Sequence, residues 1–185
     1  APEMFHRDGP DCQDDAPTRN QRYWDDHIIL DVNATVDFLL KHQAVDGERL
    51  GIVGFCSGGR VTYLMAAVNP IFKAAATYYA TSTMVPMGDG PSPFERTPQI
   101  HCPVIGLFGE DDTNPSVEDM HKLDTELTKH GKVHEFYSYG GAGHAFLNQV
   151  TERDNRYRQQ AAQDAWPKTL AFFDKYVARA VVPSS

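Results

Sequence analysis

Three short segments of this 185-residue chain carry side chains suited to nucleophilic chemistry. The first is G-F-C-S-G-G, which holds Cys56 between Gly54 and Gly58. A nucleophile on a sharp strand-to-helix turn needs glycines at those two spacings, because a Cβ would collide with neighbouring backbone. A helix opening at Ser57 would aim its backbone N–H at a developing oxyanion and favour a thiolate. A small core cysteine beside a glycine turn is the plainer alternative. A dinucleotide-binding turn fails, since Cys56 stands where G-x-G-x-x-G requires its second glycine. The second segment is G-E-D-D-T-N-P, where a carboxylate could orient an imidazole and stabilise the imidazolium. Order along the chain leaves Asp111 and Asp112 equal here. The competing reading is an acidic loop at a helix start; a calcium loop of the EF-hand kind lacks its central glycine. The third is G-G-A-G-H-A-F, whose glycines give a loop the freedom to carry His144 over a sheet edge, a setting that the other seven histidines lack.

These residues need elements to position them. Residues 1–23 are rich in Pro, Asp, Asn and Gln and read as irregular. A helix should follow, with Ile29, Val36 and Leu40 on its inner face, ending by Gly47. A short buried strand is expected over 49–55, and further strands over 73–79, 103–109 and 133–139. Helices are expected from Gly58 to Ala67 and over Val117–Lys129. A Pro- and Gly-rich loop runs to Gln99. A last helical region should turn Ala162, Trp166, Leu170, Phe173 and Val177 inward, with Pro167 starting or kinking it. Strands alternating with helices imply a parallel, doubly wound sheet with helices on both faces, and functional groups gather beyond its carboxyl ends. Nucleophile, acid and histidine then follow in the chain order of the α/β-hydrolase fold.

Composition narrows the partners. With 25 acidic and 17 basic side chains the formal charge is −8, which disfavours nucleic acid. No apolar run approaches the roughly 18 residues of a membrane span. Cys12, Cys56 and Cys102 lie far apart without partnering histidines at ligand spacing, so no metal site is expected and a reducing compartment, the cytoplasm, fits. The length suits one domain. Residues 1–15 carry no signal-peptide pattern.

Taken with the closing A-A-Q-D-A-W-P-K-T-L-A-F-F, the three segments resemble the dienelactone hydrolases (carboxymethylenebutenolidases), over nearly the whole chain. The resemblance implies an enzyme that hydrolyses a small lactone or activated ester through Cys56, His144 and an acid three residues after Gly109, which selects Asp112. It implies no cofactor or metal, a small-molecule substrate, and Ser57 N–H as an oxyanion donor. It also makes Arg7 the match to an arginine that holds a substrate carboxylate. A second such arginine, four residues after the histidine, is replaced here by Asn148. The family's first strands and their H-E-x-x-G-type oxyanion loop are missing. The expectation is therefore an incomplete sheet, with residues 1–185 the C-terminal part of a single domain and at least two strand–helix units of about 30 residues each preceding Ala1. The strand 49–55 would be central in the whole enzyme. A broad carboxylesterase, or a non-catalytic fragment retaining the motif, is the alternative.

Overall fold

The computed structural model describes residues 1–15, 18–19, 21–150 and 156–178. Its centre is a sheet of β1 (Leu50–Phe55), β2 (Phe72–Tyr78), β3 (Val104–Gly109) and β4 (His134–Tyr139), all parallel and ordered β1-β2-β3-β4. Among the described residues four α-helices surround it: α1 (Asp25–Leu40), α2 (Ser57–Val68), α3 (Val117–Lys129) and α4 (Gln159–Phe173), the last running into a π turn, Asp174–Ala178. Each strand lies within a residue or two of the stretch expected for it. A continuous apolar stretch between turn residues suits a strand covered on both faces.

Side-chain alternation along β2 and β3 sorts the core into two layers. Phe72, Ala75, Val104 and Phe108 face one layer, shared with Leu64 and Met65 of α2 and with Leu123 and Leu127 of α3. Ala74, Ala76, Tyr78, Ile105 and Leu107 face the other, where α4 packs. Helices thus cover both faces, as the alternating pattern implied. The start of α3 is fixed by a reciprocal cap: Ser116 Oγ accepts from the Asp119 N–H at 3.1 Å, and Asp119 Oδ2 accepts from the Ser116 N–H at 3.2 Å.

Two helix faces differ from expectation by one position. In α1 the buried apolar residues are Ile28, Val32 and Val36, whereas Ile29 is half-buried and Leu40 exposed. In α4 the buried residues are Ala161, Ala165, Thr169 and Phe172. Trp166 and Leu170 face outward, at 42% and 53% exposure, and Ala162, Phe173 and Val177 are half-buried. The reason is close approach. Small side chains let α4 settle onto β2, where the buried Tyr78 hydroxyl donates to the Ala165 carbonyl at 3.2 Å and meets Thr169 Oγ1 at 2.7 Å. Pro167 lies inside α4 rather than at its start.

The strand that carries the nucleophile candidate is an edge strand in this structure. Among the described residues β1 pairs with β2 alone, and its Val53 and Phe55 are about as exposed as Trp166.

Candidate active site

At the end of β1 the chain turns so tightly that Cys56 takes φ 56° and ψ −122° before α2 begins. A Cβ on Gly54 would lie 2.0 Å from the Gly58 carbonyl oxygen, so position 54 admits glycine alone. The second steric demand was expected at Gly58, but a Cβ there would meet nothing. It falls instead on Gly59, whose Cβ would come within 2.7 Å of the Tyr78 carbonyl oxygen. The Cys56 N–H donates to that same carbonyl at 3.1 Å. The elbow is therefore packed against the end of β2.

Beyond β3, Asp111 and Asp112 separate cleanly. Asp111 is exposed, with its N–H donating to the Ala142 carbonyl at 2.9 Å, whereas Asp112 is buried. Asp112 Oδ1 accepts from the Asn114 N–H at 3.0 Å, and its Oδ2 lies 2.9 Å from His144 Nδ1. The histidine loop was expected to be mobile. It is pinned: Ala142 and Phe146 on either side of His144 are fully buried, and Ala142 is the acceptor for Asp111. The Tyr79 ring stands edge-on to the imidazole at 5.2 Å.

The result is a line of three groups. His144 Nε2 lies 3.0 Å from Cys56 Sγ, and its Nδ1 faces Asp112. The hydrogen bond to His144 lowers the Cys56 thiol below its ordinary value; burial opposes this, and the Ser57 N–H and hydroxyl assist. His144 is raised, first by its bond to Cys56, against burial, and then by Asp112. Both shifts favour a thiolate–imidazolium pair, and the titration belongs to the pair rather than to either member. Ser57 opens α2, with its Oγ 3.9 Å from the sulfur, so its N–H stands at the helix N-terminus beside the nucleophile.

The other two expected site residues are not drawn into this line. Arg7, in a 3₁₀ turn (His6–Asp8), forks onto both oxygens of Asp31 on α1. It borders a cavity of about 260 Å³ with Arg19, Tyr23, Trp24 and Asp31, which none of the three aligned residues lines. Asn148 is exposed and accepts from the Val150 N–H at 3.0 Å, closing a turn after the histidine. The sequence reading missed three participants: Tyr79, Asn114 and Arg60. The signal for Arg60 was present, as a cation in an otherwise apolar helix one turn after the nucleophile. Among the described residues no cluster of His, Cys, Asp and Glu is arranged to hold a metal ion, and no helix is long and apolar enough to cross a membrane.

A parallel sheet with a cysteine elbow after β1, an acid after β3 and a histidine after β4 defines an α/β-hydrolase. The chain belongs to the dienelactone hydrolase family, whose model matches residues 1–177. It is 34% identical over 181 residues to a carboxymethylenebutenolidase of Rhodococcus opacus, covering 95% of this chain and 69% of the relative. A protein of Methylorubrum extorquens, provisionally given the same activity, is 32% identical over 188 residues, 95% of this chain and 62% of its own. The chain thus spans about two thirds of these relatives' lengths. The crystal structure of a provisionally named dienelactone hydrolase from Klebsiella pneumoniae superposes with a TM-score of 0.82 at 29% identity, over 95% of this chain and 74% of that one.

Proposed function

We propose that this chain is the C-terminal part of a hydrolase that cleaves a small lactone or activated carboxylic ester through a thioester on Cys56. The observation that carries the reading is the line Cys56 Sγ–His144–Asp112, at 3.0 and 2.9 Å. The thiolate attacks the substrate carbonyl carbon, and the Ser57 N–H steadies the oxyanion. Collapse breaks the bond to the leaving oxygen, which takes the proton from His144. Water then attacks the thioester, His144 accepts its proton, and the thiolate departs with the acid released. Asp112 keeps the imidazole oriented throughout.

The nucleophile constrains the substrate. A thiolate leaves a tetrahedral intermediate more readily than an alkoxide, so acylation succeeds only when the substrate's own leaving group is good. An enol lactone or enol ester qualifies, because its enolate is stabilised and becomes a ketone. A peptide bond does not. The family's carboxymethylenebutenolidases support the lactone; a broad carboxylesterase is the rival on the same chemistry.

The open edge of β1, with Val53 and Phe55 exposed, supports a further strand pairing there from outside residues 1–185. Three cysteines without a disulfide suit the cytoplasm. The test is stoichiometric acylation: a chromogenic aryl ester should release one burst equivalent per chain and leave an acyl mass on the peptide holding Cys56. Turnover of an enol lactone against a simple aryl ester then separates lactonase from carboxylesterase. A Cys56→Ala variant that keeps the burst would overturn the reading.

A further inference from the structure

Asp112 is held from two directions, and only one is the histidine. Its Oδ1 accepts from the Asn114 N–H at 3.0 Å, while the Asn114 side chain reaches away to the loop after β2. There Asn114 Oδ1 accepts from the Ser82 N–H at 2.8 Å, and its Nδ2 lies 3.4 Å from Ser82 Oγ. Among the described residues Ser82 is one of four non-glycine positions at positive φ, the others being Cys56, Tyr79 and Ala145. All four belong to the site's own turns, where such backbone persists only when its surroundings over-determine it.

The same loop is tied to the nucleophile. The Thr81 N–H donates to the Cys56 carbonyl at 3.4 Å, and Arg60 Nε donates to the Ser82 carbonyl at 3.1 Å. Arg60 is wholly buried one turn into α2, also donates to the Val85 carbonyl at 2.9 Å, and forks onto Asp25 of α1. A closed circuit of hydrogen bonds therefore runs from Cys56 through α2 and Arg60 to Ser82, then through Asn114 to Asp112, His144 and back to the sulfur.

We infer that Asn114 is a positioning residue, whose amide clasp on Ser82 sets the orientation of the Asp112 carboxylate and so the stability of the Cys56–His144 ion pair. The inference deepens the function proposed above and rests on it for the word catalytic, but its readout does not require turnover. Without the clasp the Asn114 N–H loses its fixed direction, Asp112 supports the imidazolium less well, and the thiolate forms at higher pH. The titratable groups facing the pair are Asp112 beyond β3, Tyr79 at the end of β2, and Tyr23 ahead of α1, whose hydroxyl feels the charge of Cys56. Of these, Asp112 is the one bonded to residue 114.

The experiment is the pH dependence of Cys56 alkylation by iodoacetamide, resolved from Cys12 and Cys102 by peptide mass spectrometry, in the full chain. Asn114→Ala should move the midpoint upward by about half a pH unit or more and lower ester kcat about five- to tenfold, with KM little changed. Asn114→Asp keeps an oxygen for the Ser82 N–H, so its midpoint should stay closer to the wild-type value than that of Asn114→Ala. Asn114 is exposed, so both variants are expected to fold. An unmoved midpoint in Asn114→Ala overturns the inference, whether activity survives or falls together with thermal stability. Failure of the functional reading looks different: Cys56→Ala would then retain turnover, while the alkylation midpoints still report on Asn114.

Discussion

Two arginines of this molecule make the same bond to the same helix and live in different worlds. Arg60 forks onto Asp25 and Arg7 forks onto Asp31, both aspartates of α1. The first pair is sealed, with side-chain exposures of 0% and 3%; the second lies open, at 37% and 11%. A sealed pair must have its polar atoms partnered, and each Arg60 nitrogen meets that condition, through two loop carbonyls and the Asp25 carboxylate. An open pair is screened and exchanges with water. The buried fork is thus part of the frame that holds the strand-end site. The exposed fork flanks a cavity.

The sharpest way to break that division is at the site itself. Cys56→Ala should lower kcat/KM for an activated ester more than about a thousandfold with the circular dichroism spectrum unchanged. Residual activity within tenfold of wild type would mean that the frame serves some other residue. Next in size is the frame. Arg60→Met leaves Asp25 buried without its partner and should cost about 3–5 kcal/mol in denaturant unfolding. Arg7→Met, by contrast, should leave the unfolding midpoint unmoved; equal losses in the two variants would erase the distinction drawn here.

Titration offers a third test. The His144 bond lowers Cys56 and raises His144, so the ion pair occupies a window that opens as pH rises past the lowered thiol and closes as pH passes the raised imidazole. Alkylation of Cys56 should accordingly begin below the ordinary thiol range. His144→Ala should push its midpoint up to or beyond that range, since burial alone opposes the thiolate. Ester turnover of the complete enzyme should vary between pH 5 and 9 with a group near neutrality, and a flat profile would be incompatible with the pair.

The smallest effect concerns specificity on the exposed side. A guanidinium grips a carboxylate through two charged bonds, whereas Asn148 offers a neutral amide. Charged hydrogen bonds are worth about 1.5–3 kcal/mol against roughly 1 for neutral ones, so Asn148→Arg should shift kcat/KM about tenfold toward a free-acid substrate over its methyl ester. If the ratio does not move, Asn148 stands outside the substrate site, and Arg7 becomes the residue to examine, through Asp31→Asn.

The strands, their parallel order and the three chemical segments were legible because each rests on local signals: an apolar run, a glycine turn, an acid or a histidine just after it. What failed depended on tertiary approach. The inward faces of α1 and α4 were assigned to large residues such as Leu40, Trp166 and Leu170, while α4 meets the sheet through Ala161, Ala165 and Thr169. Likewise Gly58 looked indispensable by spacing, yet the collision belongs to Gly54 and Gly59. Asp111 and Asp112 were indistinguishable by order, and burial separates them. Asn114 and Ser82 lie 32 residues apart, so no window of sequence could link them.

The chain-ordered sheet also bears on biosynthesis. Because β1, β2, β3 and β4 are neighbours in the order in which they are made, each strand can dock on the one before it as the chain leaves the ribosome. The sulfur of Cys56, however, waits 88 residues for its histidine. At about 5–20 residues per second the nascent chain spends roughly 4–18 s with that cysteine as an ordinary, weakly reactive thiol. Its line to His144 can form only when β4 and the loop after it arrive, so chain order keeps the sulfur in its ordinary state until then.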